Sequence, residues 1–585
     1  MAVRRGGQKG SRIDVQGTAL TAMGPGDFDW RIPADFNIGV AVCDHWAARD
    51  PDRLAIIEVD ESGAAAQHSY AHLSARAARL SHVLAGRGIA LHRPGAAGDR
   101  VAVLMPQSLD TAVAHIAVTR MGGVSLPLFV LFGPEALRHR LRDSAAAAIV
   151  TGAASLEVLA GIAADLPDLR LILCKDMPAG AEARFPGIEV ADLDTALANQ
   201  PDRYPAAPTG ADDPAILIYT SGTTGNPKGA LHAHRVLLGH LPGVEVSHNL
   251  LPQPGDRLWT PADWAWIGGL LDVLLPGLYH GVAVVACRFR KFTAQAAFDL
   301  MRDQGVRNAF LPPTALKLMR LEPRAAEWGL RLRSLASGGE PVGRELLDWG
   351  RQVFGTTINE FYGQTECNMI VSACSAVEEP VPGTMGRAAP GHQVAVIDPD
   401  TGRVLPDDAE GEIAVKSPDP VMFLEYWNNP QATQAKFVDG PDGRWLKTGD
   451  RGLRRADGRF AFVGRDDDVI ASAGYRIGPA EIEDCLLRHP AVHMAGVVGQ
   501  PDPVRGHVVA AFVTLTEGHV PGADLARDIA EHVKRRLAAY EYPRAVHFID
   551  EMPMTTTGKI IRAELRRMAE RLAARAEAAP EAAHD

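Results

Sequence analysis

The densest concentration of residues able to do chemistry is the run Tyr219–Gly229, YTSGTTGNPKG, which follows the apolar stretch AILIY. Its hydroxyls (Thr220, Ser221, Thr223, Thr224) and glycines (Gly222, Gly225) let backbone N–H groups close around an anion. Lys228 adds a mobile positive charge suited to a polyphosphate. A Walker A loop is excluded, because there a glycine is followed, after four residues, by Gly-Lys and then directly by Ser or Thr, whereas Lys228 stands between Pro227 and Gly229. Further along, Tyr362–Glu366 (YGQTE) sets the Thr365 hydroxyl beside Glu366, a hard oxygen donor of the kind Mg²⁺ takes. Alone, that pentapeptide reads equally well as a turn. Lys447–Asp450 (KTGD) offers a carboxylate able to accept hydrogen bonds from both hydroxyls of a ribose, although Asp is also common in β-turns. Lys559 follows Gly558 in TGKI, a setting in which a lone lysine is ordinarily a surface charge.

Alternating short apolar runs and amphipathic stretches must position these groups, the pattern of α/β layering. Ala215–Tyr219, Val282–Ala286, Ala309–Leu311 and Ile358–Phe361 read as strands. Thr293–Gln304 repeats Ala296, Ala297, Leu300 and Met301 at helical spacing and stops at Gly305. The texture changes after about Arg465. Beyond it come a helix at Pro479–Leu487, strands at Val492–Val498 and Val508–Thr516, a helix at Ala523–Leu537 and a strand at Ala545–Ile549, a complete small α+β unit. A boundary is therefore expected at Arg465–Asp468.

The 585 residues are ample for several domains. The net charge of −11 argues against a nucleic-acid coat. Six scattered cysteines form neither a CxxC pair nor a disulfide framework and fit a reducing cytoplasm. No run approaches the roughly 18 apolar residues of a spanning helix. The basic start MAVRRGGQKGSR reads as a frayed tail or, alternatively, a targeting segment. No metal-ligand spacing links the histidines; His232 and His234, just after the phosphate run, read best as satisfied histidines at a helix start.

The phosphate run resembles that of the adenylate-forming superfamily, which includes acyl-CoA synthetases, luciferases and peptide-synthetase adenylation domains. YGQTE, KTGD, Gly464–Pro479 (GRDDDVIASAGYRIGP) and Thr557–Ile560 (TGKI) follow in that family's order. The tracts GYRIGPAEIE and PDPVRGHVVAAFV look closest to its medium-chain acyl-CoA synthetase branch. The resemblance implies an α/β chain with a large multi-subdomain N-terminal adenylating domain (31–465) and a small mobile α+β C-terminal domain (466–570). A flexible tail over 1–30 and a disordered tail over 571–585 would flank them.

It also implies roles. Lys228, Thr365, Glu366 and Lys559 would be catalytic, with Glu366 on Mg²⁺ and Lys559 bridging the acid and the α-phosphate of ATP. Gly339, Glu340, Pro341, Glu360, Phe361, Tyr362, Gly363, Gln364, Asp450, Arg465 and Arg476 would hold the nucleotide together with the phosphate run. Asp467 would be the hinge on which the small domain swaps Lys559 for a thiol channel. Ala473, Gly474 and Tyr475 would line that channel, with Arg505, Lys534, Tyr542, Pro543 and Arg544 on coenzyme A. Lys534-Arg535-Arg536 reads as well as a solvated cationic helix face.

The resulting reaction is ATP-dependent joining of a carboxylic acid to CoA through an acyl-adenylate, with release of AMP and pyrophosphate. Where acetate-specific relatives carry bulkier side chains, this sequence has Gly268, Gly338 and Gly363, which would open a deep cavity walled by Trp266 and Ile267, with Trp264 near its entrance. Medium-chain fatty, branched or aryl acids are therefore favoured over acetate and propionate. A catalytically silent adenylate binder is the alternative, disfavoured by intact Lys228, Thr365, Glu366, Asp450 and Lys559. A luciferase has no recognisable pocket here, and a peptide-synthetase module would need a Ser-centred carrier motif after residue 570. Lys559, charged and on a mobile domain, is a candidate substrate for a lysine acyltransferase. The chain is compatible with a homo-oligomer.

Overall fold

The computed structural model describes residues 28–89, 97–220, 227–289, 291–465, 468, 470–472, 475–502, 506–537, 541–555 and 559–578. Two large, mainly parallel sheets dominate the first part. In one, Ile358–Gln364, Ser334–Gly338, Asn308–Phe310, Arg257–Trp259, Ala283–Cys287 and Leu54–Val59 lie parallel in that order, with Cys367–Ser372 and Ala65–Ser69 antiparallel at the flanks. In the other, Pro214–Thr220 pairs antiparallel with Lys228–Ala233 and parallel with Val124–Pro127, which is followed by Arg100–Leu104, Ala146–Gly152, Leu171–Lys175 and Glu189–Asp192. Both faces of these sheets are covered, so their strands read as nearly unbroken apolar runs.

A third, antiparallel sheet gathers Val394–Ile397, Glu410–Lys416, Gly443–Arg454, Phe437–Gly440 and Phe460–Arg465. A separate fourth sheet joins Tyr475–Ile477, Ile470–Ser472, Gly506–Leu515, Val492–Asp502 and Ala545–Phe548. The helices Pro479–Leu486 and Ala523–Lys534 pack on it through Ile482, Leu486, Ile529 and Val533. The chain is thus mixed α/β, with a large N-terminal domain and a small C-terminal one.

The strands expected at 215–219, 282–286, 309–311 and 358–361 are present within a residue or so of their ends, the last running on to Gln364. The amphipathic stretch at 293 is the helix Ala294–Asp303, capped by Thr293, whose hydroxyl accepts from the Ala296 N–H. The C-terminal end differs from expectation. A helix, Arg562–Ala578, replaces disorder from 571 and buries Leu565 and Ala569 against Val498, Phe512 and Met552. At the other end, Trp30 is docked, its indole N–H donating to the Gly391 carbonyl at 2.9 Å. All six cysteines are free and buried.

Gly243 sits where the helix Val236–Ser247 crosses the strand Cys367–Ser372, and a Cβ there would run into the Met369 carbonyl and side chain. Gly243→Ala should therefore lower unfolding stability by about 1–3 kcal/mol through overpacking, read as a drop in the denaturant midpoint at unchanged slope.

Candidate functional site

Two of the four sheets send strand ends toward one region. The turn after Ser334–Gly338 supplies Gly339 and Glu340, the end of Ile358–Gln364 supplies Tyr362 and Gln364, and the paired strands of the third sheet place Asp450 directly across from Arg465. Asp450 is the hub. Its Oδ2 accepts from the Tyr362 hydroxyl at 2.6 Å and from Gln364 Nε2 at 2.7 Å. Gln364 also donates to the Thr448 carbonyl at 2.7 Å, and its own carbonyl accepts from Lys436 Nζ at 3.3 Å. Burial raises the Asp450 carboxyl above its ordinary range, and Arg465, Tyr362 and Gln364 pull it back. Glu360 is buried with fewer compensations and is pushed up to about 8 by desolvation, against the Val342 N–H that favours its charged form.

Lys559 comes from the small domain. Its backbone N–H donates to Thr555 Oγ1 at 3.0 Å and its carbonyl accepts from the Thr555 N–H at 2.7 Å. The ammonium lies 5.5 Å from the centroid of the Trp266 ring. Burial lowers its pKa, and the charges of Glu340 and Asp450 counter that. Gly339 has φ +93°, a conformation suited to glycine, and a Cβ there would lie 3.4 Å from the Trp266 ring and 3.6 Å from Lys559 Cε.

Glu366 is buried and accepts from the Tyr426 hydroxyl; Lys228 Nζ lies 5.3 Å above the same tyrosine ring. Tyr426 stands on the short strand Glu425–Tyr426, which pairs with the strand that begins at Lys228. Sequence reasoning missed it. The only available signal was its place in EYWNNP, for which no spacing rule gives a partner. Among the described residues no group of three or more His, Cys, Asp or Glu could hold a metal. Glu366 would offer Mg²⁺ a hard carboxylate oxygen.

In the small domain, Tyr542 is flanked by two cations, Lys534 Nζ at 5.6 Å and Arg544 Cζ at 4.9 Å from its ring centroid. Three of the residues expected on CoA are therefore neighbours. Ser221, Gly222, Thr223, Thr224, Gly225, Asp467, Ala473, Gly474 and Arg505 lie outside the described residues. The adjacent Asp468 accepts from Arg566, and Arg562 donates to both oxygens of Glu483 at 2.8 and 2.6 Å.

The deep cavity expected at the three glycines needs correction. A Cβ on Gly268 would lie 2.9 Å from the Phe310 ring, one on Gly338 2.6 Å from the Phe361 ring, and one on Gly363 2.5 Å from Met369 N and 2.6 Å from Asn368 Oδ1. The space given up by the missing side chains is taken by neighbouring rings and backbone. Trp266, Phe310 and Phe361 form a row, with ring centroids 5.9 and 5.1 Å apart. Trp264 is fully buried in the core, away from any entrance. His232 is buried inside a strand, while His234, just before the helix at Val236, accepts from the Ile38 N–H at 3.1 Å.

The small domain thus places a buried lysine among the carboxylates of Glu340 and Asp450 and the ring of Trp266. Comparison with known proteins assigns the family. Residues 43–427 match the AMP-binding enzyme family and residues 481–559 the AMP-binding enzyme C-terminal domain. The chain belongs to that family. It is 33% identical over 473 residues to an acetyl-coenzyme A synthetase of Bacillus subtilis, covering 80% of each chain. It is 32% identical to human mitochondrial acyl-coenzyme A synthetase ACSM4, covering 92% of this chain and 91% of the relative. Among solved structures, ATP-bound MatB from Rhodopseudomonas palustris superposes with a TM-score of 0.79 at 29% identity, over 92% of this chain and 99% of that one. The anthranilate CoA ligase AuaEII with anthranoyl-AMP gives 0.80 at 25% identity, over 94% and 100%. The chain is an AMP-forming acid–thiol ligase: it joins a carboxylic acid to CoA through an acyl-adenylate, using ATP and Mg²⁺.

Removing the hydroxyl that holds Glu366 tests the contact that sequence missed. A buried hydrogen bond to a charged group contributes about 1.5–3 kcal/mol to stability, so Tyr426→Phe should lower the melting temperature slightly and, by freeing Glu366, raise the Mg²⁺ concentration needed for half-maximal acid-dependent ATP–pyrophosphate exchange, as a Mg²⁺ titration of the exchange rate would show.

Proposed function

We propose that this synthetase acts on a compact aryl, branched or medium-chain acid rather than on acetate or propionate. The row of Trp266, Phe310 and Phe361 beside the lysine supports this reading. Three rings offer a broad apolar wall, against which each buried methylene contributes roughly 1 kcal/mol. In this reading Lys228 and Lys559 neutralise charge on the phosphates as the acid oxygen attacks the α-phosphorus and pyrophosphate leaves. Glu366, with Thr365, meets the Mg²⁺ that accompanies ATP. Asp450 takes the ribose hydroxyls, beside Arg465, and the segments Gly339–Pro341 and Glu360–Gln364, with Arg476, hold the rest of the nucleotide. The small domain then turns about Asp467, withdrawing Lys559 and bringing in the thiol. Lys534, Tyr542, Pro543 and Arg544, with Arg505, hold CoA while Ala473, Gly474 and Tyr475 line its path. Ile267, Gly268, Gly338 and Gly363 complete the acid site.

Assaying AMP release across acids from acetate to dodecanoate, with benzoate and isobutyrate, tests the substrate class. A maximum of kcat/KM at benzoate, isobutyrate or an intermediate chain length is expected; a maximum at acetate or propionate refutes the reading. Lys559→Gln should abolish acid-dependent pyrophosphate exchange yet leave thioesterification of preformed acyl-adenylate largely intact. If both half-reactions fall together, the single-step role is wrong.

The sign of the lysine's shift gives a pH dependence. The active form is protonated and burial lowers its pKa, so adenylation should fail as pH rises, with a midpoint below the ordinary lysine value of 10.5. The pH profile of kcat/KM for the exchange reaction checks this.

We also assign Lys559 as the target of a lysine acyltransferase, reached when the small domain turns it out of the site; acylation would remove the charge that adenylation needs. The cytoplasm is the proposed location, supported by six free, buried thiols. Self-association into a homo-oligomer is proposed as well, and sedimentation of the purified chain decides it.

A further inference from the structure

Packed behind Gly363 lies a polar pair, Asp272 and Asn368, that the reaction does not use. Asp272 lies in the helical segment Leu270–Leu274, one turn beyond Gly268, and its flanking residues Leu270, Leu271, Val273 and Leu274 belong to the same buried cluster as Phe310, Phe361 and Met369. Its side chain is 1% exposed. Asn368 Nδ2 donates to Asp272 Oδ1 at 2.7 Å. The second oxygen, Oδ2, has no hydrogen-bond partner and is the one buried carboxyl oxygen among the described residues of which that is true. Asn368 links this pair to the acid site, because its Oδ1 would lie 2.6 Å from a Cβ on Gly363.

A carboxylate in such surroundings is strongly disfavoured unless paired with a cation, so the group takes up a proton instead. Burial accordingly pushes the Asp272 carboxyl well above the ordinary range. With Oδ1 accepting from Asn368, Oδ2–H is left as a buried donor without an acceptor. Native structures seldom leave such a group unsatisfied unless it serves a function.

We propose that Asp272 and Asn368 form the distal end of the acid site and select a carboxylic acid that carries a hydroxyl remote from its carboxylate. The inference rests on the reading of Trp266, Phe310, Phe361 and Gly363 as walls of that site. A hydroxyl accepts the Asp272 proton at a point where a methyl or hydrogen terminus leaves it unpaired. Sites built to bond a substrate hydroxyl reject the analogue lacking it far more strongly than an apolar pocket rejects a methylene.

The test measures AMP release with skeleton-matched pairs: benzoate against 3- and 4-hydroxybenzoate, and hexanoate against 6-hydroxyhexanoate. Wild-type protein should favour the hydroxylated member of at least one pair by about 100-fold in kcat/KM. Asp272→Leu should erase that preference by weakening the hydroxylated acid alone, with KM for ATP unchanged. Asp272→Asn, whose carboxamide still donates, should keep most of it. A wild-type preference for the unsubstituted member in every pair overturns the proposal, as does an equal loss for both members in Asp272→Leu, the mark of a purely structural role. Should Asp272→Leu fail to fold, the wild-type preference and Asp272→Asn decide the matter. Turnover confined to acetate and propionate would instead remove the larger-acid reading beneath the proposal, whereas turnover of larger acids without hydroxyl preference removes the polar pair alone.

Discussion

Placing a lysine ammonium out of water beside an aromatic ring is unfavourable unless charge of the opposite sign compensates it. That is the position of Lys559 against Trp266, with Glu340 and Asp450 as its nearest compensation. Much of the surrounding architecture follows from this one constraint. Glu340 must leave the parallel sheet at the turn after Gly338, and the glycine before it needs a positive φ so that backbone, ring and lysine methylenes can meet. Asp450 must be held where its charge reaches the lysine, which explains why a tyrosine, a glutamine and a cross-strand arginine all converge on it.

The small domain has its own charged base. Asp468 accepts from Arg566, and Glu483 is gripped at both oxygens by Arg562. Both arginines lie on the final helix, which also fills the apolar gap beside Phe512 through Leu565. The helix therefore ties the start of the domain to its end and stiffens the platform that presents Lys559. Gly343 touches the same platform from the large domain, where a Cβ would collide with the Asp484 carboxyl.

Much of this was legible in the sequence because it is local. Strand ends and the helical spacing of Ala296, Ala297, Leu300 and Met301 are properties of short windows, and the structure reproduces them to within a few residues. Asp450, Arg465, Gln364 and Tyr362 were each identifiable, although nothing in the chain says that one carboxylate oxygen serves two of the others. Tyr426 was invisible for a related reason, since its partner Glu366 lies far away in sequence and no spacing links them. The acid site was misread in a more instructive way. A missing side chain was counted as empty volume at Gly268, Gly338 and Gly363, but close packing lets the neighbours Phe310, Phe361 and Met369 take it up. Glycine there reports how near another group comes, which a sequence does not reveal. The last helix escaped notice because its Ala, Arg and Glu composition is that of a tail as much as of an amphipathic segment.

The buried cysteines acquire a meaning from the chemistry. An acyl-adenylate is a potent acyl donor, and the thiolate form of any cysteine within reach would compete with CoA for it. Cys367 directly follows Glu366, yet its thiol is held protonated by burial and by that neighbouring negative charge. Cys43 is pushed up to about 12, and Cys174 and Cys287 to about 11. The protein thus handles a reactive mixed anhydride while keeping its own sulfur protonated and buried, and self-acylation is suppressed by placement rather than by absence of the nucleophile.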